Sequence, residues 1–168
     1  AWNVPVFWGE FGVNATAVGG AKYMDLFYAW LDRNHASGTQ WNYTPGWDPG
    51  TYDGFNDENL SIVDDLGALR ANYRIRPYAQ RIAGTPAAFT VSRKDSGAIR
   101  VYIEWDHDPT KGETRIFLPR EALIGDGGYR AESTGDSLDC SYGSDELYLT
   151  CESTAAGRKS ITLSSENY

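Results

Sequence analysis

Apolar positions follow two different rhythms along this chain. In the first half they come in short runs and at helical spacing. Val4 to Trp8, broken only by Pro5, is a short apolar run that predicts a buried strand. Ala21 to Asn34 carries Tyr23, Phe27, Trp30 and Leu31 at helical spacing, with Gly38 just beyond as the stop signal. Thr39 to Tyr43 predicts a second short strand, and a long loop begins at Thr44-Pro45-Gly46. Ile62, Leu66, Leu69 and Tyr73 predict another helix, and Pro77 a short one running to about Ala83. Buried strands alternating with helices are the pattern of a parallel sheet.

Past Gly84-Thr85-Pro86 the period turns to alternation. Ile99, Val101, Ile103 and Trp105 point one way, Tyr102 and Glu104 the other. Further strand-like runs are Phe89 to Arg93, Arg115 to Leu118, Tyr129 to Glu132, Leu147 to Cys151 and Ser160 to Leu163, separated by Gly- and Asp-rich turns. Short strands at this spacing predict an antiparallel β-sandwich. The expected division is therefore residues 1–84, α/β, and residues 85–168, all-β. Two βα units cannot close a barrel, since a (β/α)8 barrel takes about 250 residues. The first part reads as the last two βα units of a TIM barrel. Its remaining strands are expected on an upstream segment, either a separate chain or a cleaved part of the same protein.

Composition narrows the function. The 168 residues are 41% hydrophobic and 14% aromatic, which is a globular composition. The net charge of −8 argues against nucleic acid as a partner. No run approaches the roughly 20 apolar residues of a membrane span. Ala1 is not an initiator Met, so we expect a processing or cutting event before it. Six Trp and eleven Tyr offer flat faces for sugars or apolar ligands, although aromatic residues also fill cores. The only cysteines, Cys140 and Cys151, flank a turn-like segment and predict a disulfide, and with it an exported, extracellular protein. Two free thiols are the alternative. His35 and His107 lie far apart and add no metal site to this pair, and no cofactor is expected.

The chemistry concentrates at Gly9-Glu10-Phe11-Gly12. A carboxylate at the carboxyl end of a parallel strand sits where barrel enzymes place their catalytic groups. Gly9 and Gly12 remove bulk beside it and are expected to let a ligand approach.

These residues resemble the nucleophile strand of family 5 glycoside hydrolases. Trp41-Asn42-Tyr43-Thr44-Pro45, the run Asp53 to Ile62, Arg76-Pro77-Tyr78 and Ile82 to Pro86 resemble, in order, the endoglycoceramidase-like group of that family. The resemblance covers most of residues 4–90. It implies a retaining endo-β-glycosidase that cuts between glycan and ceramide in glycosphingolipids. Glu10 is then the nucleophile. The acid/base glutamate follows an asparagine on an earlier strand and comes from the upstream segment. The resemblance places Trp41 under the sugar; Trp47, Phe55 and Phe11 are further candidates for substrate contact. Transient contact with a membrane surface or micelle follows from such a substrate. Asp48, Asp53, Asp57 and Glu58 read as solvated loop charge, and 53–59 lacks the regular ligand spacing of a calcium loop. Another family 5 β-glycosidase, acting on a polysaccharide or a simple glycosyl-lipid, is the alternative enzyme. A non-catalytic sugar- or lipid-binding sandwich module is the alternative outside enzymes.

Overall fold

A computed structural model describes residues 4–46, 48, 50, 58–124, 129–134, 137–165 and 168. The chain divides into two compact units, Ala1–Arg74 and Ile75–Tyr168, so the division falls ahead of the expected boundary near Gly84.

In the first unit, β1 (Phe7–Phe11), α1 (Gly20–Arg33) and β2 (Ser37–Gln40) form one βαβ turn with the two strands parallel. Met24 and Leu31 of α1 are buried and Phe27 and Tyr28 pack beside them. The spacing of these four is the stripe a helix turns toward a sheet. The inward stripe is thus offset from the one read in the sequence, and Tyr23 is half exposed. The helix stops earlier than Gly38. Asn34 caps it, its Nδ2 donating to the Trp30 carbonyl at 2.8 Å, and His35 takes a φ of 48°. Gly38 lies inside β2 instead, where a Cβ would sit 2.9 Å from the Phe11 ring and 3.1 Å from Trp8 Cβ.

Among the described residues, the parallel sheet of this unit has two strands, β1 and β2. The helix expected at Ile62–Tyr73 is a series of turns. The Asp64 carboxylate accepts from the amides of Leu66 at 2.9 Å and Ala68 at 2.8 Å, and Gly67 has a φ of 79°. A side chain that binds its own backbone in this way competes with helix formation. Leu66, read as a helix-core residue, is 88% exposed.

The helix expected after Pro77 is likewise a strand, β3 (Tyr78–Arg81), with Tyr78 opposite Phe117 and the two rings stacked at 4.9 Å. It opens the second unit, which continues with β4 (Gly84–Arg93), β5 (Ile99–His107), a short 3-10 helix (Pro109–Lys111), β6 (Thr114–Phe117), α2 (Arg120–Ile124), β7 (Tyr129–Thr134), β8 (Asp139–Tyr142), β9 (Tyr148–Glu152) and β10 (Gly157–Ser165). Two antiparallel four-stranded sheets result, ordered β4-β5-β10-β7 and β3-β6-β9-β8. The alternation read in β5 holds: Ile99, Val101, Ile103, Trp105 and His107 are buried, and Arg100 and Asp106 are exposed. Ile161 and Leu163 of β10 join them from the same sheet, and Ile116, Leu149 and Cys151 from the other, in one core cluster. The sequence reading missed β8, which pairs Cys140 with Cys151 across the ladder, and these two form the disulfide.

Polar groups enter this core only with partners. The Trp105 indole N–H donates to His107 Nδ1 at 3.2 Å, and His107 Nε2 then donates to the Ser153 carbonyl at 2.9 Å. Arg158 of β10 reaches Glu104 at 2.7 Å and Asp106 at 2.8 Å on the outer face of its sheet. The Arg158 hydrogen bond, followed by that of Tyr102, holds the Glu104 carboxyl below its ordinary range.

Replacing His107 with Ala leaves the buried Trp105 N–H without its acceptor, which costs about 1–3 kcal/mol. Denaturant unfolding of the chain should show that loss as a lower midpoint at unchanged slope. Reduction of Cys140–Cys151 should lower the unfolding free energy of the parent by about 2–3 kcal/mol.

Candidate active site

The carboxyl ends of β1 and β2 lie side by side. Phe11 is opposite Gln40, and the Trp41 amide donates to the Phe11 carbonyl at 2.8 Å. Glu10 and Trp41 therefore sit at the ends of neighbouring parallel strands. Three steps along β1, Trp8 to Phe11, match two along β2, Gly38 to Gln40. This is the signature of a β-bulge, a device found beside active sites because it re-aims a side chain. Two residues, Gly9 and Glu10, face one, Thr39. The Thr39 hydroxyl donates to the Gly9 carbonyl.

The bulge separates the two sides of the strand. Trp8 and Phe11 both turn to α1: Trp8 meets Phe27 and Trp30 edge-on at 5.6 and 6.0 Å, and Phe11 stacks on Phe27 at 4.4 Å. Phe11 is buried there, whereas Glu10 is exposed. The structure thus seats Phe11 as the anchor of β1, not as a ligand contact. The ligand-access reading of the glycines also changes. A Cβ on Gly9 would meet nothing within 4 Å, while one on Gly12 would lie 2.5 Å from the Trp41 carbonyl oxygen. Gly12 makes room for the neighbouring strand end.

Trp41 is fixed at several points. Its peptide bond to Asn42 is cis. The Asn42 amide donates to the Leu60 carbonyl at 3.4 Å, and the Ile62 amide donates to the Asn42 carbonyl at 2.9 Å. The Trp41 indole N–H donates to Glu58 Oε2 at 3.0 Å. Glu58, read as solvated loop charge, is a half-buried partner of the candidate sugar-facing ring. Beneath the rim, Tyr28 of α1 donates to Gln40 Oε1 at 2.7 Å. The buried Asn72 side chain donates through Nδ2 to the carbonyls of Val13 at 3.2 Å and Leu60 at 3.1 Å, and the Asn72 backbone carbonyl accepts from Gln40 Nε2 at 3.3 Å. Arg70 donates to Asn59 Oδ1 at 2.6 Å; burial lowers its guanidinium from the ordinary value, and the Asp64 carboxylate acts the other way. The bonds of Thr39, Glu58 and Asn72 carry no signal in the sequence, because their partners are separated from them along the chain and follow no motif spacing.

Trp47, Phe55, Asp53 and Asp57 lie outside the described residues. Asp48 is exposed and accepts from the Gly50 amide at 2.7 Å. Among the described residues no three His, Cys, Asp or Glu side chains gather as a metal site. No described helix is long and apolar enough to cross a membrane.

The two glycines of the motif should respond differently to a methyl group. Gly12→Ala forces the Trp41 carbonyl away, and the Trp41 amide should exchange with solvent at least tenfold faster, on the order of 1.4 kcal/mol of lost protection. Gly9→Ala should leave that amide within about twofold of the parent, since surface changes of this kind usually stay within about 0.5 kcal/mol. Hydrogen-exchange mass spectrometry on the two variants decides it.

The model of the glycoside hydrolase family 5 C-terminal domain matches residues 76–163. No curated protein matches the chain. Among solved structures, endo-glycoceramidase II from Rhodococcus sp. is 22% identical with a TM-score of 0.69, over 98% of this chain and 34% of that one. The same Rhodococcus enzyme has been solved as a lactosyl-enzyme intermediate and with ganglioside GM3. Sterylglucosidase 1 of Cryptococcus neoformans is 19% identical with a TM-score of 0.68, over 98% of this chain and 29% of that one. The chain spans about a third of the length of the structures it matches.

Proposed function

We infer that this chain, which belongs to the family of the glycoside hydrolase family 5 C-terminal domain, is the C-terminal part of a retaining endo-β-glycosidase acting on glycosphingolipids. Its first unit is the end of a (β/α)8 barrel and its second a β-sandwich. The observation that carries the reading is the pairing of Glu10, exposed on the bulged end of β1, with Trp41 at the end of the parallel strand beside it.

In this reading the Glu10 carboxylate attacks the anomeric carbon while an acid/base glutamate of the upstream barrel segment protonates the departing ceramide oxygen. A covalent glycosyl-enzyme forms. The same glutamate then takes a proton from water, which attacks the anomeric carbon and releases the glycan with its configuration retained. Trp41, held by Glu58, supplies the face on which a sugar ring rests. Trp47 is a further candidate for contact with the ceramide or the rim of the glycan site. The disulfide supports export to an oxidising compartment. The substrate implies transient contact with a membrane surface or micelle, and nucleic acid plays no part.

Glu10→Gln in the complete enzyme should lower turnover by several orders of magnitude and leave substrate affinity near the parent, as loss of a nucleophile does. The assay is glycan release from a defined glucosylceramide-linked oligosaccharide, with binding followed by calorimetry. A variant retaining a tenth of parental activity would refute the assignment. Running a sterol β-glucoside in parallel tests the aglycone, and hydrolysis of the sterol substrate alone would replace ceramide in the reading.

A further inference from the structure

Thr39 occupies the one position that faces both Gly9 and Glu10. It follows Gly38, the partner of Trp8, and precedes Gln40, the partner of Phe11. An unbulged parallel strand would give each β1 residue its own neighbour. Here the register shifts by one residue between Trp8 and Phe11, and the Thr39 hydroxyl donates to the Gly9 carbonyl within that shift. The carbonyl belongs to the peptide bond that leads directly into Glu10. Holding it fixes the peptide plane from which the Glu10 side chain springs.

We propose that Thr39 is a positioning residue for Glu10, locking the bulge so that the carboxylate keeps one direction. The proposal rests on the reading of Glu10 as the nucleophile. Other groups at this rim do not perform the same task. Phe11 and Trp8 anchor β1 to α1 through their rings, on the helix side of the strand. Trp41 secures the strand end beyond the bulge through the Phe11 carbonyl. Gly9 itself has no side chain to limit its peptide, and a Cβ there would meet nothing. Among these groups, only Thr39 bonds the peptide inside the bulge.

The threonine side chain suits the role. Its β-branch limits χ1, so the hydroxyl stays over the bulge. Its hydroxyl supplies a side-chain donor for the Gly9 carbonyl.

The test uses the complete enzyme carrying Thr39→Val, which keeps the branched shape and removes the hydroxyl, and Thr39→Ser, which keeps the hydroxyl and removes the methyl. Misplacing a reacting group by about 1 Å costs on the order of a hundredfold in rate. Thr39→Val should therefore lower kcat by about tenfold to a hundredfold with KM within about threefold, and Thr39→Ser should stay within about threefold of the parent in both. Thr39 is exposed, so the thermal midpoints of both variants should match the parent and show that folding is not the cause. Parental kcat in Thr39→Val, or equal losses in the two variants, would overturn the proposal. Glu10→Gln separates this outcome from failure of the underlying reading: if it turns over normally, the nucleophile assignment fails first, whatever Thr39 does.

Discussion

The parallel pairing of β1 with β2 is the constraint on which the candidate site depends. It alone brings residues 10 and 41 to one rim. A parallel pair needs a crossover of a dozen or more residues, and α1 supplies it. The pairing is tightened where it matters by a backbone contact that only glycine permits: the Trp41 carbonyl occupies the space a Gly12 side chain would fill. The site is therefore built on strand ends with little freedom, as catalysis by a positioned carboxylate requires.

Buried polar groups tie the rim to the rest of its unit. Asn72 is 1% exposed and joins the segment after β1, the returning chain at Leu60 and the Gln40 side chain. Gln40 also receives the Tyr28 hydroxyl from α1. One amide side chain on β2 thus connects the helix and the last turn of the unit at the level of the candidate nucleophile. The bonds made by Asn72 Nδ2 and by both ends of the Gln40 amide are directional, so they favour one arrangement of segments that apolar packing alone would leave loosely specified.

Much of this was legible in the sequence, and what was not follows a physical pattern. The alternation in β5 and the helical stripe of α1 are set by one buried face each, so the residues themselves record them. Residues 62–73 carried a false stripe: their spacing is helical, but Asp64 binds its own backbone and Gly67 takes a positive φ. Pro77 was read as a helix start, yet pairing of Tyr78 with Phe117, nearly forty residues on, decides for a strand. Glu10 and Trp41 were visible as residues. The bulge that aims one and the Glu58 that holds the other were not, because both are relations between segments distant in sequence. The grouping of β3 with the second unit is a relation of the same kind, since β3 pairs with β6.

The first unit also shows what its sheet lacks. Val4, Phe7 and Val6 are 62%, 64% and 47% exposed, and Trp8, although packed on α1, is 43% exposed. Strands of a parallel sheet are ordinarily covered on both faces. Fully burying a large apolar side chain is worth roughly 1.5–3 kcal/mol, and these four realise only about half of that. The second unit has no comparable deficit on its inner faces, where Ile103, Trp105, Ile116 and Cys151 reach zero exposure. The unit that carries the candidate nucleophile is therefore the one that, among the described residues, leaves more of its large apolar side chains exposed. In the proposed enzyme, a barrel segment that covered Val4 to Trp8 would also be the one to bring an acid/base glutamate to the rim at Glu10.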